Sequence, residues 1–477
     1  MVMRTRSVLA VAALLVFAGC VGTPVTQPLA GSADAPPDPA TDQLGWEAGY
    51  WYNESLAITT DDGLNESEFQ AVVNRAMARD EHIRNIEFEK QVPVEVMTRE
   101  EYRQQSNGGG SPSEARLAFD NAKFQSLFLV GQDENSLSVQ QSNQGSSVLG
   151  FYSPSKDEIV IVTNGENAVI DELTLAHELD HALQFRNFEM GYASPTRDAS
   201  NAHSGLIEGD ARYVENRYEE YCGEAWQCVK PEPKSGSSSG SGGSSLNLGV
   251  YIVKYFPYSD GPGFVGALKD AGGWDAVNDA YSDPPDTAKE VALPETYPEA
   301  GHTNVSLADT SDGEWDRVTV PGRAPYGEVG VAGITAMVAY PSYDDSKEGG
   351  VVKPRTFLNY KPNGDVQSDD PFNYTNRYAD GWTGDKLYVY QNAADETAYV
   401  WRVTWESPGD AQTFASGYRN VLAYWGGETV NDANTRYRIA DGGFRGAYFL
   451  QTSGTTTTIV YAPRASDLDD VRQGTPT

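Results

Sequence analysis

The chain has 477 residues, with 35 Lys and Arg against 68 Asp and Glu, a net charge of −33. That length gives room for two or three domains with a substantial core. An acidic surplus spread along the whole sequence excludes nucleic acid as a partner, because phosphate contacts need a basic patch; it fits solvation in strong salt, where screening relieves self-repulsion.

Arg4 and Arg6 precede an apolar run from Val8 to Ala18, too short to cross a bilayer as a mature helix. It ends in Phe17-Ala18-Gly19-Cys20, which resembles a lipobox. The expectation is a signal peptide over 1–19, lipid on Cys20, and a protein anchored to the outer face of the cell membrane. Stable anchoring then implies two lipid chains. Arg-Thr-Arg is not a twin-arginine pair, so Sec and Tat export both stay open. Residues 20–45 carry few large apolar groups and read as a flexible tether.

A first domain is expected over 46–315, opening on Trp46, Tyr50, Trp51 and Tyr52. Ser67 precedes a helical pattern of Phe69, Val72, Val73, Ala76 and Met77. Val92 to Val96 alternates like a strand, and Thr98 with Glu101 forms a capping-box pattern. Val148–Tyr152 and Glu158–Val162 read as a hairpin joined by Ser153 to Asp157. The open edge of such a hairpin can pair with an extended polypeptide.

The sharpest signal follows in Leu173 to Leu183. His177 and His181 stand one helical turn apart in an H-E-x-x-H pattern, so both imidazoles can reach one ion. Leu173, Ala176, Leu179 and Leu183 supply an apolar stripe that buries the helix. A catalytic zinc wants a third protein ligand and keeps its fourth position for water. Ser204 to Glu215 resembles the second ligand helix of gluzincins, in which a Glu followed by small residues packs against the first helix. Glu208 matches the ligand, Gly209 and Ala211 the small positions; His203 and Glu215 are the alternatives. In that reading Glu178 is the general base. Asp180 and Asp210 are candidates to anchor the ligand imidazoles, and His203, Tyr213 or Tyr258 to stabilise the oxyanion.

Cys222 and Cys228 are the cysteines left after processing, and in an exported chain they are expected to pair. Their spacing with no nearby His argues against a metal site. Residues 234–245 form a Gly/Ser linker. Gly263 to Tyr281 looks helical with a break at Gly272-Gly273. A C-terminal α+β domain is expected over 316–465. It carries a helix near Glu328 to Tyr340, strands at Lys386–Tyr390 and Tyr399–Trp405, and a helix after Ser407. Strands around Ala447–Leu450 and Thr457–Tyr461 close it, and 466–477 reads as a tail.

Together these features resemble haloarchaeal exported surface lipoproteins with a gluzincin-like zinc metallopeptidase core. The carrying stretches are His177–Leu183, Ile207–Ala211, Pro284–Thr287 through Pro294–Tyr297, and Trp382–Leu387 with Val400–Arg402. They span most of residues 85–425. In similar sequences a His often precedes Pro-Glu in the third stretch; here Leu293 stands there. The resemblance implies an α+β fold with a zincin-like core, the active-site helix lying beside a mixed sheet. It implies one Zn2+ per chain on His177, His181 and Glu208, and a polypeptide substrate. The competing reading is a non-catalytic, metal-stabilised surface-binding lipoprotein. Such a protein would have no need of Glu178.

Overall fold

The computed structural model describes residues 38–475 apart from 61–62, 107–110, 146–147, 164–169, 232–245, 300–301 and 345–348. The expected signal peptide, Cys20 and the Gly/Ser linker lie outside the described residues. No helix among the described residues is long and apolar enough to cross a membrane.

Folded structure begins before Trp46. Asp38 accepts a hydrogen bond from the Trp46 indole, and the Gly45 amide donates to buried Glu81, so the last part of the expected tether is tied down. A short hairpin follows, β1 (Trp46–Glu47) with β2 (Tyr50–Trp51). The first helix, α1 (Glu66–Arg84), is capped by Asn65 rather than Ser67. The Asn65 side chain accepts from the Ser67 and Glu68 amides, and the Glu68 carboxylate returns to the Asn65 amide. An amide oxygen one residue outside the first turn reaches those free N–H groups.

Strand β3 (Val94–Thr98) leads into α2 (Arg99–Ser106), with the expected reciprocal bonds between Thr98 and Glu101. Helices α3 (Glu114–Ser126) and α4 (Ser136–Gly145) precede the hairpin of β4 (Gly150–Ser153) and β5 (Glu158–Thr163). The three strands make one mixed sheet in the order β3-β5-β4, parallel at β3/β5 and antiparallel at β5/β4. Isolated from the larger core, this sheet packs Ile159 and Ile161 against Leu175, Leu179 and Leu183 of α5 (Glu172–Asn187).

Behind α5 lie the long helices α6 (Arg197–Glu224) and α7 (Leu248–Ala280). They meet at glycines. A Cβ on Gly209 would stand 2.5 Å from the Gly261 carbonyl, and one on Gly261 would stand 2.5 Å from the Gly205 oxygen. Gly205 and Gly209, which flank Glu208, therefore serve the α6/α7 contact. Helix α7 breaks at Gly272 and Gly273, where Gly273 has φ +70°. It also contains Pro257 and Pro262, each without an N–H for the helical ladder. The short α8 (Ala288–Ala292) and α9 (Gly330–Ala339) complete this helical layer.

A seven-stranded antiparallel sheet forms the C-terminal part. Its strands are β6 (Asp316–Arg317), β7 (Trp382–Gln391), β8 (Thr397–Trp405), β9 (Gly427–Thr429), β10 (Arg436–Ile439), β11 (Gly446–Ser453) and β12 (Thr456–Ala462), in the order β6-β7-β8-β12-β11-β10-β9. Helix α10 (Pro408–Tyr424), capped by Ser407, covers one face. Two features depart from the expected division of the chain. The core runs across the 315/316 boundary, because Phe128, after α3, stacks among Tyr418, Phe444 and Tyr448. Residues beyond 465 are not a loose tail: α11 (Leu468–Val471) buries Leu468 and Val471 against β11 and β12. Two apolar side chains one turn apart are enough to dock that turn.

Asp385 explains part of the fourth resemblance stretch. Buried on β7, it accepts from the Val329 and Gly330 amides and from the indoles of Trp382 and Trp401. It thus satisfies the free donors at the start of α9.

Candidate metal centre

Helix α5 presents His177 and His181 on one face, and α6 brings Glu208 to meet them. His177 Nε2 and His181 Nε2 each lie 3.4 Å from Glu208 Oε2. The three ligand atoms fall within 4.8 Å of one another. Among the described residues this is the one such group of His, Cys, Asp or Glu.

The tautomers follow from the neighbours. His177 Nδ1 lies 3.1 Å from Glu215, whose carboxylate also pairs with Arg212. A carboxylate there requires the proton on Nδ1. The Gln184 amide nitrogen donates to Asp180 at 2.6 Å and to the Ile207 carbonyl at 2.9 Å, which turns its oxygen toward His181 Nδ1 at 3.0 Å. His181 therefore also carries its proton on Nδ1. Both Nε2 lone pairs then face Glu208 Oε2, which is buried with no hydrogen-bond donor. Three acceptors aimed at one point fit a divalent cation, and the donor set of two imidazoles and one carboxylate suits zinc.

Electrostatics point the same way. Burial works against a charged His177, but the Glu208 and Glu215 carboxylates, which accept from a protonated ring, outweigh it and hold its pKa well above the usual value. Burial also opposes charge on His181, yet Glu208 lifts it to about 8. Glu208 is held far below the usual carboxylate range: burial opposes this, and the two imidazoles overcome it. In the metal-free protein protons stand where a cation would, so metal uptake releases them. Affinity should weaken as pH falls through about 8, where His181 charges. Removing Glu215 frees the His177 ring to rotate. Glu215→Ala is expected to weaken metal affinity about 10- to 100-fold, measurable by competition with a chromogenic chelator. Unchanged affinity would discard the positioning role.

Glu178 lies beside the triad, 7 % exposed, and accepts the Tyr152 amide of β4. Burial, the leading cause, raises its pKa. Gly150 makes this approach possible, since a Cβ there would stand 3.2 Å from Glu178 Cγ. The Tyr258 ring stacks on His177 with centroids 6.3 Å apart, and burial, then the nearby Glu208 carboxylate, raises the pKa of its hydroxyl well above the usual value. Pro257 and Pro262 flank this stretch of α7.

The other candidates lie elsewhere. His203 contacts Ser194 and Tyr192, and Tyr213 packs edge-on against Trp274; neither joins the triad. Asp210 pairs with Arg84 and Tyr281 instead of a ligand imidazole. Asp180 reaches His181 only through Gln184. Leu293 faces a small recess with Ala292, Val331 and Tyr374, away from the triad. Cys222 and Cys228 stand with Cα atoms 5.6 Å apart, within the span of a disulfide. Gln184 is the site residue that sequence reading missed. Its signal was present: it follows His181 by three residues on the same helix.

Comparison with known families gives one match. A family described as a domain of unknown function (DUF8575) covers residues 316–472, from β6 to just past α11. No curated protein and no solved structure matches the chain.

Proposed function

We propose that the chain is a zinc-dependent metallopeptidase, exported and lipid-anchored through Cys20, that hydrolyses polypeptides with Glu178 as general base. The observation that supports this reading best is the meeting of His177, His181 and Glu208 around one point, with a second carboxylate, that of Glu178, beside it. Bound zinc supplies Lewis acidity and lowers the pKa of coordinated water. The chain's own residues do the rest. Glu178 takes the proton from the attacking water and returns it to the leaving amine. The Tyr258 hydroxyl, held near Glu208, donates to the developing oxyanion. Strand β4 is a sheet edge passing over Glu178, so an extended peptide can add to it through backbone hydrogen bonds.

Metal analysis of purified protein beside His177→Ala is the first test. One zinc per chain in the wild type and none in the variant supports the centre. A zinc-free wild type after loading and desalting rejects it. Zinc binding without cleavage of unfolded casein would favour the metal-stabilised surface protein instead.

A further inference from the structure

Tyr258 belongs to a row of tyrosines on one face of α7. Tyr251, Tyr255 and Tyr258 recur at i, i+4 and i+7, the spacing that sets side chains above one another on a helix. Their rings stack in turn. Tyr251 and Tyr255 have centroids 5.2 Å apart with 18° between the planes, and Tyr255 and Tyr258 have centroids 5.9 Å apart with 24°. The His177 ring continues the series, 6.3 Å from Tyr258 at 22°. A row of nearly parallel rings therefore leads away from a candidate metal ligand. Ile252, Val253 and Phe256, on the other side of the helix, are buried, whereas the three tyrosines are only partly so.

Within that row the ring faces are turned toward one another, so the row offers ring edges outward. An edge is the positive part of the aromatic quadrupole and seeks the face of another ring. Phe372 already meets Tyr255 in this way, with centroids 5.6 Å apart and planes at 84°. The spacing also has a match. Side chains on one face of an extended chain recur about every 6.7 Å, close to the 5.2 to 6.3 Å between successive rings. At the other end of the ligand pair, Phe185 stands one turn beyond His181, 42 % exposed and 5.6 Å from the Tyr152 ring. Rings therefore border the centre along both α7 and α5. Contact between uncharged groups is not screened by salt, and a net charge of −33 does not oppose it.

We propose that Tyr255 and Tyr251, continuing from Tyr258, form a substrate wall that selects polypeptides with aromatic side chains at alternate positions on one side of the scissile bond. The inference rests on the metallopeptidase reading and narrows its substrate class. Tyr251 and Tyr255 take no part in the chemistry; they set affinity and register. A saccharide would need an open ring face to stack on, which the interior of the row does not offer.

The test measures binding and cleavage separately on the zinc-loaded full chain. Three fluorescent ten-residue peptides are used, with Phe at alternate positions in the first half, in the second half, or replaced throughout by Ser. Binding is read by anisotropy on Glu178→Gln, which cannot turn the peptide over. One Phe peptide should bind at least tenfold more tightly than the Ser peptide. Adding Tyr255→Ala or Tyr251→Ala should each erode that preference roughly 3- to 10-fold, whereas Tyr255→Phe, which keeps the ring, should retain it. In the otherwise wild-type enzyme the same changes should raise KM and leave kcat within about twofold. Tm and zinc content show whether a variant has kept the fold and the centre, and Tyr251, at the far end of the row, gives a second variant should Tyr255→Ala unfold. Equal binding of the Phe and Ser peptides would overturn the proposal. So would a folded, zinc-loaded Tyr251→Ala that keeps the full preference. Preference for Phe without cleavage by the wild type would leave the wall standing as a peptide site and remove the peptidase reading.

Discussion

Replacing Glu178 with glutamine should cut hydrolysis of a polypeptide substrate by about 10²- to 10⁴-fold while leaving one zinc per chain. The amide keeps the volume of the carboxylate and can still take the Tyr152 N–H, but it cannot accept a proton from water. The ligands His177, His181 and Glu208 are untouched, so metal content separates loss of chemistry from loss of the centre. The loss should fall on kcat and kcat/KM together, because the proton transfer belongs to the transition state. Fluorescent casein or a quenched peptide reports the rate, and metal analysis the occupancy. Equal hydrolysis by wild type and Glu178→Gln would remove this carboxylate from the chemistry. A zinc-free variant would instead give Glu178 a structural part in the centre.

The centre was legible in sequence where its geometry is helical. His177 and His181 repeat at four residues, and one regular helix fixes their common face. Glu215 follows Glu208 by seven residues, two turns on the same face of α6. It was weighed as a ligand; its place is one layer out, on His177 Nδ1. Spacing gives the face of a helix but not the distance from the ion, so ligand and anchor look alike. Asp180 and Asp210 illustrate the opposite limit. Their adjacency to ligands suggested anchoring, but Arg84 claims Asp210 from 126 residues away. Nothing local in α1 marks Arg84 as an interior residue, since Arg is mostly a surface side chain. The division of the chain was hidden for a related reason. Phe128 looks like any buried aromatic, and only the closed fold shows that it meets Tyr418, Phe444 and Tyr448 across the 315/316 boundary.

The largest stability effect is expected at Glu172, the first residue of the helix that carries the centre. Its carboxylate accepts from Arg75 at 3.1 Å, Arg79 at 2.7 Å, the Tyr218 hydroxyl at 2.5 Å and the Val229 amide at 2.6 Å. The side chains of Arg75, Arg79 and Glu172 are all fully buried. Glu172→Ala strands two guanidinium groups in the interior, and neither can lose its proton. The expected cost is about 3–5 kcal/mol, a fall in Tm of roughly 3–5 °C. The difference should be nearly the same at low and high salt, because ions cannot reach the network to screen it. Exposed pairs such as Arg217 with Glu220 should instead contribute little at any salt. Replacing all three members by Met or Leu removes the stranded charge and should recover most of the loss. Such a triple variant would also separate stability from function. Glu172 ties the start of α5 to α1 and to the Val229 segment. If that tie also sets the placement of His177, the triple variant regains its Tm but binds zinc more weakly than wild type. A Glu172→Ala protein that melts within 1 °C of wild type would show that this network is not what holds the motif helix in place.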